Sequence, residues 1–309
     1  MKLLLELPTW MGDTVMATPA IVNLINHYKN PEITIIGSTV STSLIQNYEF
    51  IDKSIILNKK YMDLIRSART FGKFDVFISF RSSYRSKFLK IFISSKNKYQ
   101  FNKRVYVKGH TVERYNNFVN DITFSNNEPG KLFLKTKQKK KFIKNKMLLG
   151  LNPGASYGNS KRWYPEKFGK VAKSLSDKYD IVILGGPDEE DIANDIENYL
   201  IKNKIFNYQN LAAKTSVEEL VSNIKSLNLM ITGDSGPMHV AAAFEVPTVS
   251  LFGPTKYNET SQWKNKNSVV VKKNLQCQPC MKRECPLKHH NCMKLIESDE
   301  VIKKTLLFN

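Results

Sequence analysis

The sequence predicts an α/β protein of two doubly wound domains, each built around a mostly parallel sheet. The chain has 309 residues, a length that suits two domains of ordinary size. Short apolar runs alternate with helical patterns in both halves, as expected of βαβ units. A lysine-rich run over residues 135–146 interrupts the alternation, which then starts again. We therefore predict an N-terminal domain over residues 1–146 and a C-terminal domain over residues 147–309.

The N-terminal half opens on a continuous apolar run, residues 2–7, typical of a strand buried on both faces. A helical pattern follows over residues 14–28, and Gly12 permits a tight turn between the two. Asp13 can serve as the cap of this helix. It can also be a functional carboxylate, because it lies at the carboxyl end of the first parallel strand, the edge at which α/β folds bind ligands. We expect further strands at 33–37, 54–57 and 74–80, and further helices at 41–48, 61–70 and 110–121.

A basic segment follows the strand expected at 74–80. It contains Arg81, Arg85 and Lys87 beside apolar residues, and Arg114 stands near the start of a later helix. This pattern is typical of a helix with a solvated basic face and a core face. It also suits a dock for an anionic, lipid-linked ligand at a membrane surface. The residues alone leave both interpretations open.

The positive charge of the chain is concentrated in its first half. The formal net charge is +19, of which residues 1–146 carry +16 and residues 147–309 carry +3. A uniform compositional bias would raise the positive charge of both halves. The asymmetry therefore favours an anionic partner. A nucleic acid is not favoured, because Phe142 is the one aromatic residue in the lysine-rich run and no stacking motif accompanies it.

The C-terminal half repeats the alternation of strands and helices. An acidic helix start over residues 188–191 suits the positive end of a helix dipole. The last helix, residues 298–307, is a candidate to pack back on the N-terminal domain. We expect strands at 147–152, 180–184, 227–231 and 248–252, and helices at 165–179, 216–226 and 240–244.

One turn of this half combines several chemically active residue types. It reads Thr-Gly-Asp-Ser-Gly-Pro-Met-His over residues 232–239, between an apolar strand and a helix of small residues. Asp234, Ser235, Gly236 and His239 therefore stand at the mouth of a helix. Free backbone N–H groups and the helix dipole make such a mouth a natural anion site.

Several functional classes are not favoured. No GxGxxG follows the first strand, which argues against a nicotinamide dehydrogenase, and no GxxxxGK[ST] is present, which argues against a P-loop NTPase. No apolar run approaches the ~20 residues that span a bilayer. The first apolar run is short, contains Glu6 and lacks a cleavage site, so it does not resemble a signal peptide. We expect a cytoplasmic protein.

Three motifs, in this order, resemble those of glycosyltransferase family 9, the heptosyltransferases. They read LPTWMGDTVMATP over residues 7–19, NPGASYGNSKRWY over 152–164 and GDSGPMHVAAA over 233–243. The resemblance covers nearly the whole chain. It implies a GT-B fold, in which two Rossmann-like domains face each other across a cleft. It also implies that the N-terminal domain binds the acceptor and the C-terminal domain binds ADP-heptose.

The resemblance further implies an inverting, metal-independent transfer of heptose to a heptose of the lipopolysaccharide inner core, with no cofactor besides the ADP-heptose donor. Asp13 matches the family's proposed base, which takes the proton of the acceptor hydroxyl. Lys161 matches the lysine that binds the leaving diphosphate. Asp188 and Thr215 match donor-binding residues of the family less closely, because the residues around them differ from the family's. The donor-site positions carried over are Gly12, Ser156, Lys161, Arg162, Asp188, Thr215, Asp234, Ser235, Gly236 and His239.

An inner-core acceptor would explain the basic N-terminal half, because it carries carboxylates and phosphates on a lipid. We expect contact with the cytoplasmic face of the inner membrane and no nucleic-acid partner. The residues expected to bind the acceptor are Arg81, Arg85, Lys87 and Arg114. Two alternatives stay open: another family 9 transferase with a different core sugar as acceptor, and a non-catalytic basic protein that binds nucleic acid or a membrane surface.

Four cysteines and two histidines near the C-terminus have a spacing similar to that of zinc ligands. Similar cysteine-rich segments occur in family 9. We predict no catalytic metal and regard the cysteines as a candidate structural metal site. Reduced structural thiols, or disulfides formed during handling, are equally compatible with the spacing. The residues are Cys277, Cys280, Cys285 and Cys292, with His289 and His290.

Overall fold

The computed structural model describes residues 1–58, 60–136 and 146–308. The chain divides into two compact units, Met1–Lys137 and Gln138–Asn309. Most of the lysine-rich run at which we place the domain boundary lies outside the described residues, so that boundary stays a prediction. Within the described residues, no helix is both long enough and apolar enough to pass through a bilayer.

A parallel sheet of five strands forms the centre of the N-terminal unit, in the order β3-β2-β1-β4-β5. The strands are β1 (Lys2–Glu6), β2 (Glu32–Gly37), β3 (Lys53–Ile56), β4 (Lys73–Ser79) and β5 (Ser94–Gln100). The helices are α1 (Met11–Tyr28), α2 (Thr39–Ile45), α3 (Tyr61–Thr70), α4 (Tyr84–Phe92) and α5 (Thr111–Thr123).

The apolar run at the N-terminus becomes the central strand of this sheet. Leu3, Leu4 and Leu5 of β1 are fully buried, because helices cover both faces of a doubly wound sheet. The register places Glu6, the last residue of β1, opposite Ser79, the last residue of β4. Both residues therefore lie at the carboxyl edge of the sheet, where ligands bind in such folds.

A parallel sheet of six strands forms the centre of the C-terminal unit, in the order β11-β10-β9-β6-β7-β8. The strands are β6 (Met147–Asn152), β7 (Tyr179–Ile183), β8 (Tyr208–Asn210), β9 (Leu229–Gly233), β10 (Thr248–Phe252) and β11 (Ser268–Lys272). The helices are α6 (Pro165–Leu175), α7 (Glu190–Lys202), α8 (Val217–Lys225), α9 (Gly236–Ala243), α10 (Tyr257–Thr260), α11 (Asn291–Lys294) and α12 (Ser298–Thr305).

The last helix packs on the core of its own unit, and the expectation that it also packs back on the N-terminal domain stays a prediction. Val301 of α12 is fully buried in a cluster that also contains Trp163 and Phe168. The indole N–H of Trp163 donates a hydrogen bond to the carbonyl of Ile296 at 3.1 Å, which ties the segment before α12 to the same core. The core of the C-terminal unit thus covers the apolar face of this short helix.

Three strands were not predicted, and all three lie at sheet edges: β5, β8 and β11. An edge strand is only partly covered, so it needs no continuous apolar run. The sequence of β5, SSKNKYQ, is almost entirely polar, and β8 has three residues. Apolar runs therefore identified the central strands and the edge strand β3, and they missed these three edge strands.

The first helix begins earlier than predicted, at Met11. Gly12 and Asp13 consequently lie in its first turn, so the prediction of a glycine turn was wrong. The N-cap is Trp10, whose side chain makes no capping bond, so Asp13 does not cap the helix either. Arg81 lies in the loop before α4, while Arg85 and Lys87 lie within that helix.

Candidate active site

Asp13 of α1 is paired with a buried tyrosine of α5. The hydroxyl of Tyr115 donates a hydrogen bond to the Asp13 carboxylate. Burial raises the pKa of Tyr115 well above its usual value, and the neighbouring Asp13 carboxylate raises it further. Tyr115 therefore stays protonated and acts as a fixed donor to Asp13. Sequence reasoning missed this role, because nothing in the sequence indicates that α5 packs beside the first turn of α1.

A second carboxylate, that of Glu6, is buried at the same edge of the N-terminal sheet. Its Oε2 accepts a hydrogen bond from Ser79 Oγ at 2.6 Å, and its Oε1 accepts one from Ser86 Oγ at 2.9 Å. The Arg81 guanidinium forms an ion pair with Oε1 at 3.4 Å. Burial raises the pKa of Glu6, against the lowering effects of Ser79, Arg81 and Ser86. The signal for this buried acid in the sequence is its position inside a leucine run, which we used only as evidence against a signal peptide.

The structure brings two of the four predicted acceptor-binding residues close together. Arg81 and Arg85 both interact electrostatically with Glu6, and Arg85 also donates a hydrogen bond to the carbonyl of Asn58. Burial lowers the pKa of Arg85, and the positive charge of Arg81 lowers it further. Lys87 is exposed, with its ammonium 5.4 Å from the ring of Tyr84. Arg114 lies in the first turn of α5, next to Tyr115.

In the C-terminal unit, Lys161 and Asp234 form an almost fully buried ion pair. Lys161 Nζ lies 2.6 Å from Asp234 Oδ2 and 3.0 Å from the Asp234 carbonyl oxygen. Thr255 Oγ1 donates to the same carboxylate oxygen at 2.6 Å. The Lys161 ammonium also lies 4.8 Å from the centre of the Tyr157 ring. Two predicted site residues thus meet, with Thr255 and Tyr157 as partners that the sequence did not reveal.

The turn over residues 232–239 lies at the carboxyl edge of the sheet, as predicted. Ser235 is the N-cap residue of α9 and makes no side-chain capping bond, so its hydroxyl is available to other groups. Asn152, the last residue of β6, donates to Ser235 Oγ at 3.0 Å. Gly236 is the first residue of α9, and His239 is buried within the helix. In the first turn of α9, Pro237 carries no N–H and the Met238 N–H donates to the Ser235 carbonyl at 3.2 Å. Gly236 is therefore the donor that this turn can offer, two residues after Asp234 of the Lys161–Asp234 pair.

The remaining predicted donor residues lie in loops that follow β6, β7 and β8. Ser156 and Asp188 are exposed, and Thr215 is half-buried just before α8. Arg162 donates a hydrogen bond to the Asp188 carbonyl at 3.1 Å, so it bridges two of these loops. The buried acid of this region is Glu189, whose carboxylate accepts a hydrogen bond from the Gly186 N–H at 2.7 Å.

The cysteine-rich segment packs against the loop that contains Lys161. Ser160 Oγ donates to the Lys282 carbonyl at 2.6 Å, and the Tyr157 hydroxyl donates to the Met281 carbonyl at 2.8 Å. His290 Nε2 lies 2.9 Å from the Ser160 carbonyl, which makes this nitrogen the donor. The segment therefore fixes the position of the predicted phosphate-binding loop.

All four cysteines are free thiols. Burial raises the pKa of Cys292 to about 11, and the nearby Cys280, Cys285 and Cys277 contribute to the rise. Among the residues that the structure describes, no three His, Cys, Asp or Glu side chains are placed to hold a metal ion. The candidate structural metal site is therefore not formed in this structure.

Comparison with known proteins agrees with the sequence motifs. The family model "Glycosyltransferase family 9 (heptosyltransferase)" matches residues 70–291. Lipooligosaccharide heptosyltransferase 2 of Campylobacter jejuni serotype O:2 is 41% identical over 319 aligned residues, which cover 100% of this chain and 99% of that protein.

Two solved structures share the fold. The structure of E. coli ADP-heptose LPS heptosyltransferase II superimposes with a TM-score of 0.82 at 21% identity and covers 100% of this chain and 98% of that chain. A family 9 glycosyltransferase of Veillonella parvula gives a TM-score of 0.86 at 20% identity, with 99% and 96% covered. The predicted fold class, the α/β GT-B fold of the heptosyltransferases, is confirmed.

Proposed function

This chain belongs to glycosyltransferase family 9, the heptosyltransferases, and from that membership we propose its reaction. The enzyme moves heptose from ADP-L-glycero-D-manno-heptose to the first heptose of the lipopolysaccharide inner core. The transfer inverts the configuration at the anomeric carbon and uses neither a metal ion nor a cofactor besides the donor. The agreement over the whole length with a heptosyltransferase 2 supports this choice of acceptor.

The observation that carries the proposal is the Lys161–Asp234 pair beside the N-terminus of α9. Negative charge develops on the diphosphate of ADP as the bond to the sugar breaks. An ammonium held by the Asp234 carboxylate at 2.6 Å is already in place to stabilise that charge. The Gly236 N–H at the start of α9 offers a further donor, and the helix adds the positive end of its dipole. Lys161 thus supplies the positive charge for leaving-group departure.

Asp13 is the proposed base. An inverting transfer is a single in-line displacement, in which a carboxylate takes the proton of the attacking hydroxyl. The Tyr115 hydroxyl that donates to Asp13 fixes the orientation of the carboxylate. One of its oxygens can therefore face the acceptor hydroxyl while the other accepts from Tyr115.

The basic residues near the carboxyl edge of the N-terminal sheet suit an anionic acceptor on a lipid. Arg81, Arg85 and Arg114 provide guanidinium groups, which bind carboxylates and phosphates in a bidentate manner. Tyr84, with 82% of its surface exposed, lies beside Lys87 on α4. An exposed aromatic residue next to a cation suits an anionic membrane interface. We therefore propose peripheral binding to the cytoplasmic face of the inner membrane, with no nucleic-acid partner.

The proposal is tested with ADP-heptose and a series of truncated core acceptors, ending in Kdo, in one heptose or in two heptoses. We expect a product heavier by one heptose only from the acceptor that ends in a single heptose. The anomeric configuration, measured by NMR, should be opposite to that of the donor, and EDTA should leave the rate unchanged. Transfer to the Kdo-terminated acceptor instead, or a need for divalent metal, would overturn the corresponding part of the proposal.

A further inference from the structure

The buried carboxylate of Glu6 has no part in the reaction as described above. It is 1% exposed, and it ends the central strand of the N-terminal sheet. A leucine at this position would continue the apolar run, and a buried carboxylate costs several kcal/mol unless donors surround it. Three side chains from different parts of the unit surround it here: Ser79 at the end of β4, Arg81 in the following loop, and Ser86 in the first turn of α4.

These contacts join the elements that carry the two adjacent guanidinium groups. Ser86 lies one residue after Arg85, so its bond to Glu6 fixes the turn from which the Arg85 side chain extends. Arg81 pairs with the same Oε1 atom that accepts from Ser86. Arg81 and Arg85 repel each other, and the single negative charge of Glu6 attracts both. One carboxylate against two guanidinium groups leaves one net positive charge for an anionic ligand.

We infer that Glu6 is a positioning residue for acceptor binding: its carboxylate holds Arg81, and through Ser86 the first turn of α4, so that both guanidinium groups face the carboxylates or phosphates of the acceptor. The inference rests on the proposed function, since it assigns these arginines to the acceptor. The contacts of Glu6 with Ser79, Ser86 and Arg81 involve neither the proposed base nor the proposed diphosphate-binding residues. The loss of Glu6 should therefore affect the KM of the acceptor and leave the KM of ADP-heptose unchanged.

A double-mutant cycle tests the inference. The variants are Glu6→Gln, Arg81→Ala and the combination, and each is assayed for kcat and for the KM of donor and acceptor separately. We expect Glu6→Gln to raise the acceptor KM by about tenfold, the scale of a misplaced charged contact. In the Arg81→Ala background, Glu6→Gln should change the acceptor KM by less than about twofold, because the effects of coupled residues are not additive.

The matched control is Asp75→Asn. Asp75 is also an ion-paired carboxylate of the N-terminal sheet, bound to Lys96 at 2.8 Å, but it lies near the other end of β4. The Asp75→Asn variant should leave kcat and the KM values of donor and acceptor unchanged. If Glu6→Gln fails to fold, Ser86→Ala removes one Glu6 contact and should raise the acceptor KM by a smaller factor.

Equal effects of Glu6→Gln in the two backgrounds, or equal changes in donor and acceptor KM, would overturn the inference. An unchanged acceptor KM in a folded, active Glu6→Gln variant would also overturn it. A wild-type protein without transferase activity would instead contradict the proposed function, so the two failures are distinguishable.

Discussion

Lys161 and Asp234 form an ion pair of 2.6 Å in which neither side chain is more than 12% exposed. The pair joins the loop after β6 to the loop after β9, two neighbouring strands of the C-terminal sheet. A buried pair of this kind is costly to break from one side, because the remaining charge loses its partner. The geometry thus couples the stability of the unit to the residue that we assign to the leaving group.

Lys161→Met should lower both stability and turnover. We expect a loss of about 3–5 kcal/mol in the free energy of unfolding, because the buried Asp234 carboxylate loses its ion-pair partner. We expect kcat to fall by at least about 100-fold, because the leaving diphosphate loses its cation. The double variant Lys161→Met/Asp234→Asn should regain most of the stability but none of the turnover. Urea unfolding and steady-state kinetics measure the two effects, and a recovery of kcat with stability would show that Lys161 has only a structural role.

Asp13→Asn should remove turnover and retain ADP binding. The substitution keeps the size of the side chain and removes the base, so kcat should fall by about 10²–10⁴-fold. ADP affinity, measured by calorimetry, should stay unchanged, because the proposed diphosphate contacts belong to the C-terminal unit. Asp63→Asn is the control: Asp63 is likewise an acid in the first turn of a helix of the same unit, α3. Retained turnover in Asp13→Asn would falsify the assignment of the base.

Tyr115→Phe should change the pH dependence of the reaction. The ionised form of Asp13 loses a hydrogen-bond donor, which makes its protonation easier. The acidic limb of the kcat/KM profile should therefore move to higher pH by about one unit, since a hydrogen bond to a charged group is worth about 1.5 kcal/mol. Tyr106→Phe is the control, because Tyr106 also donates to a carboxylate of α5, that of Asp121 at 2.7 Å. A loss of activity that is uniform across pH would indicate a packing defect only.

Glu6 should make stability depend on pH in a predictable direction. Burial raises the pKa of Glu6 above that of an unfolded glutamate. The folded state therefore favours the protonated acid, and this contribution is fully present below the unfolded pKa and is lost as pH rises through the folded pKa. The Glu6→Gln variant cannot ionise at this position. The free energy of unfolding of the wild type should therefore fall, relative to that of the variant, as pH rises from the unfolded pKa of Glu6 through its folded pKa. Urea unfolding of both proteins from pH 4 to 8 measures the difference. An increase with pH would mean that Ser79, Ser86 and Arg81 outweigh the cost of burial.

Much of the fold was predictable, because central strands of a doubly wound sheet must be apolar along their whole length. The run that became β1 and the run that became β9 were identified for this reason. The edge strand β5 was missed, since partial exposure allows it to be polar. The start of α1 was also misjudged: helical periodicity becomes visible only after a full turn, and Asp13 lies in that first turn.

The candidate site was predictable as a set of residue types and was not predictable as a set of contacts. The motifs that contain Asp13, Lys161 and Asp234 were found from the order of residues along the chain. Tyr115 lies far from Asp13 in sequence, Thr255 lies 21 residues after Asp234, and neither partner belongs to one of the three motifs.

The fold class, the family and the three motifs can be read from the sequence alone, because hydrophobic period and short motifs are local properties of the chain. Three contacts become visible only in the folded chain: Lys161 is bound to Asp234, Asp13 accepts a hydrogen bond from Tyr115, and Glu6 binds both Arg81 and Ser86. Each of these is a buried polar contact between separate elements. Its energy depends on burial and on the direction of donors, and both are set when the parallel strands bring their carboxyl ends to one edge of each sheet.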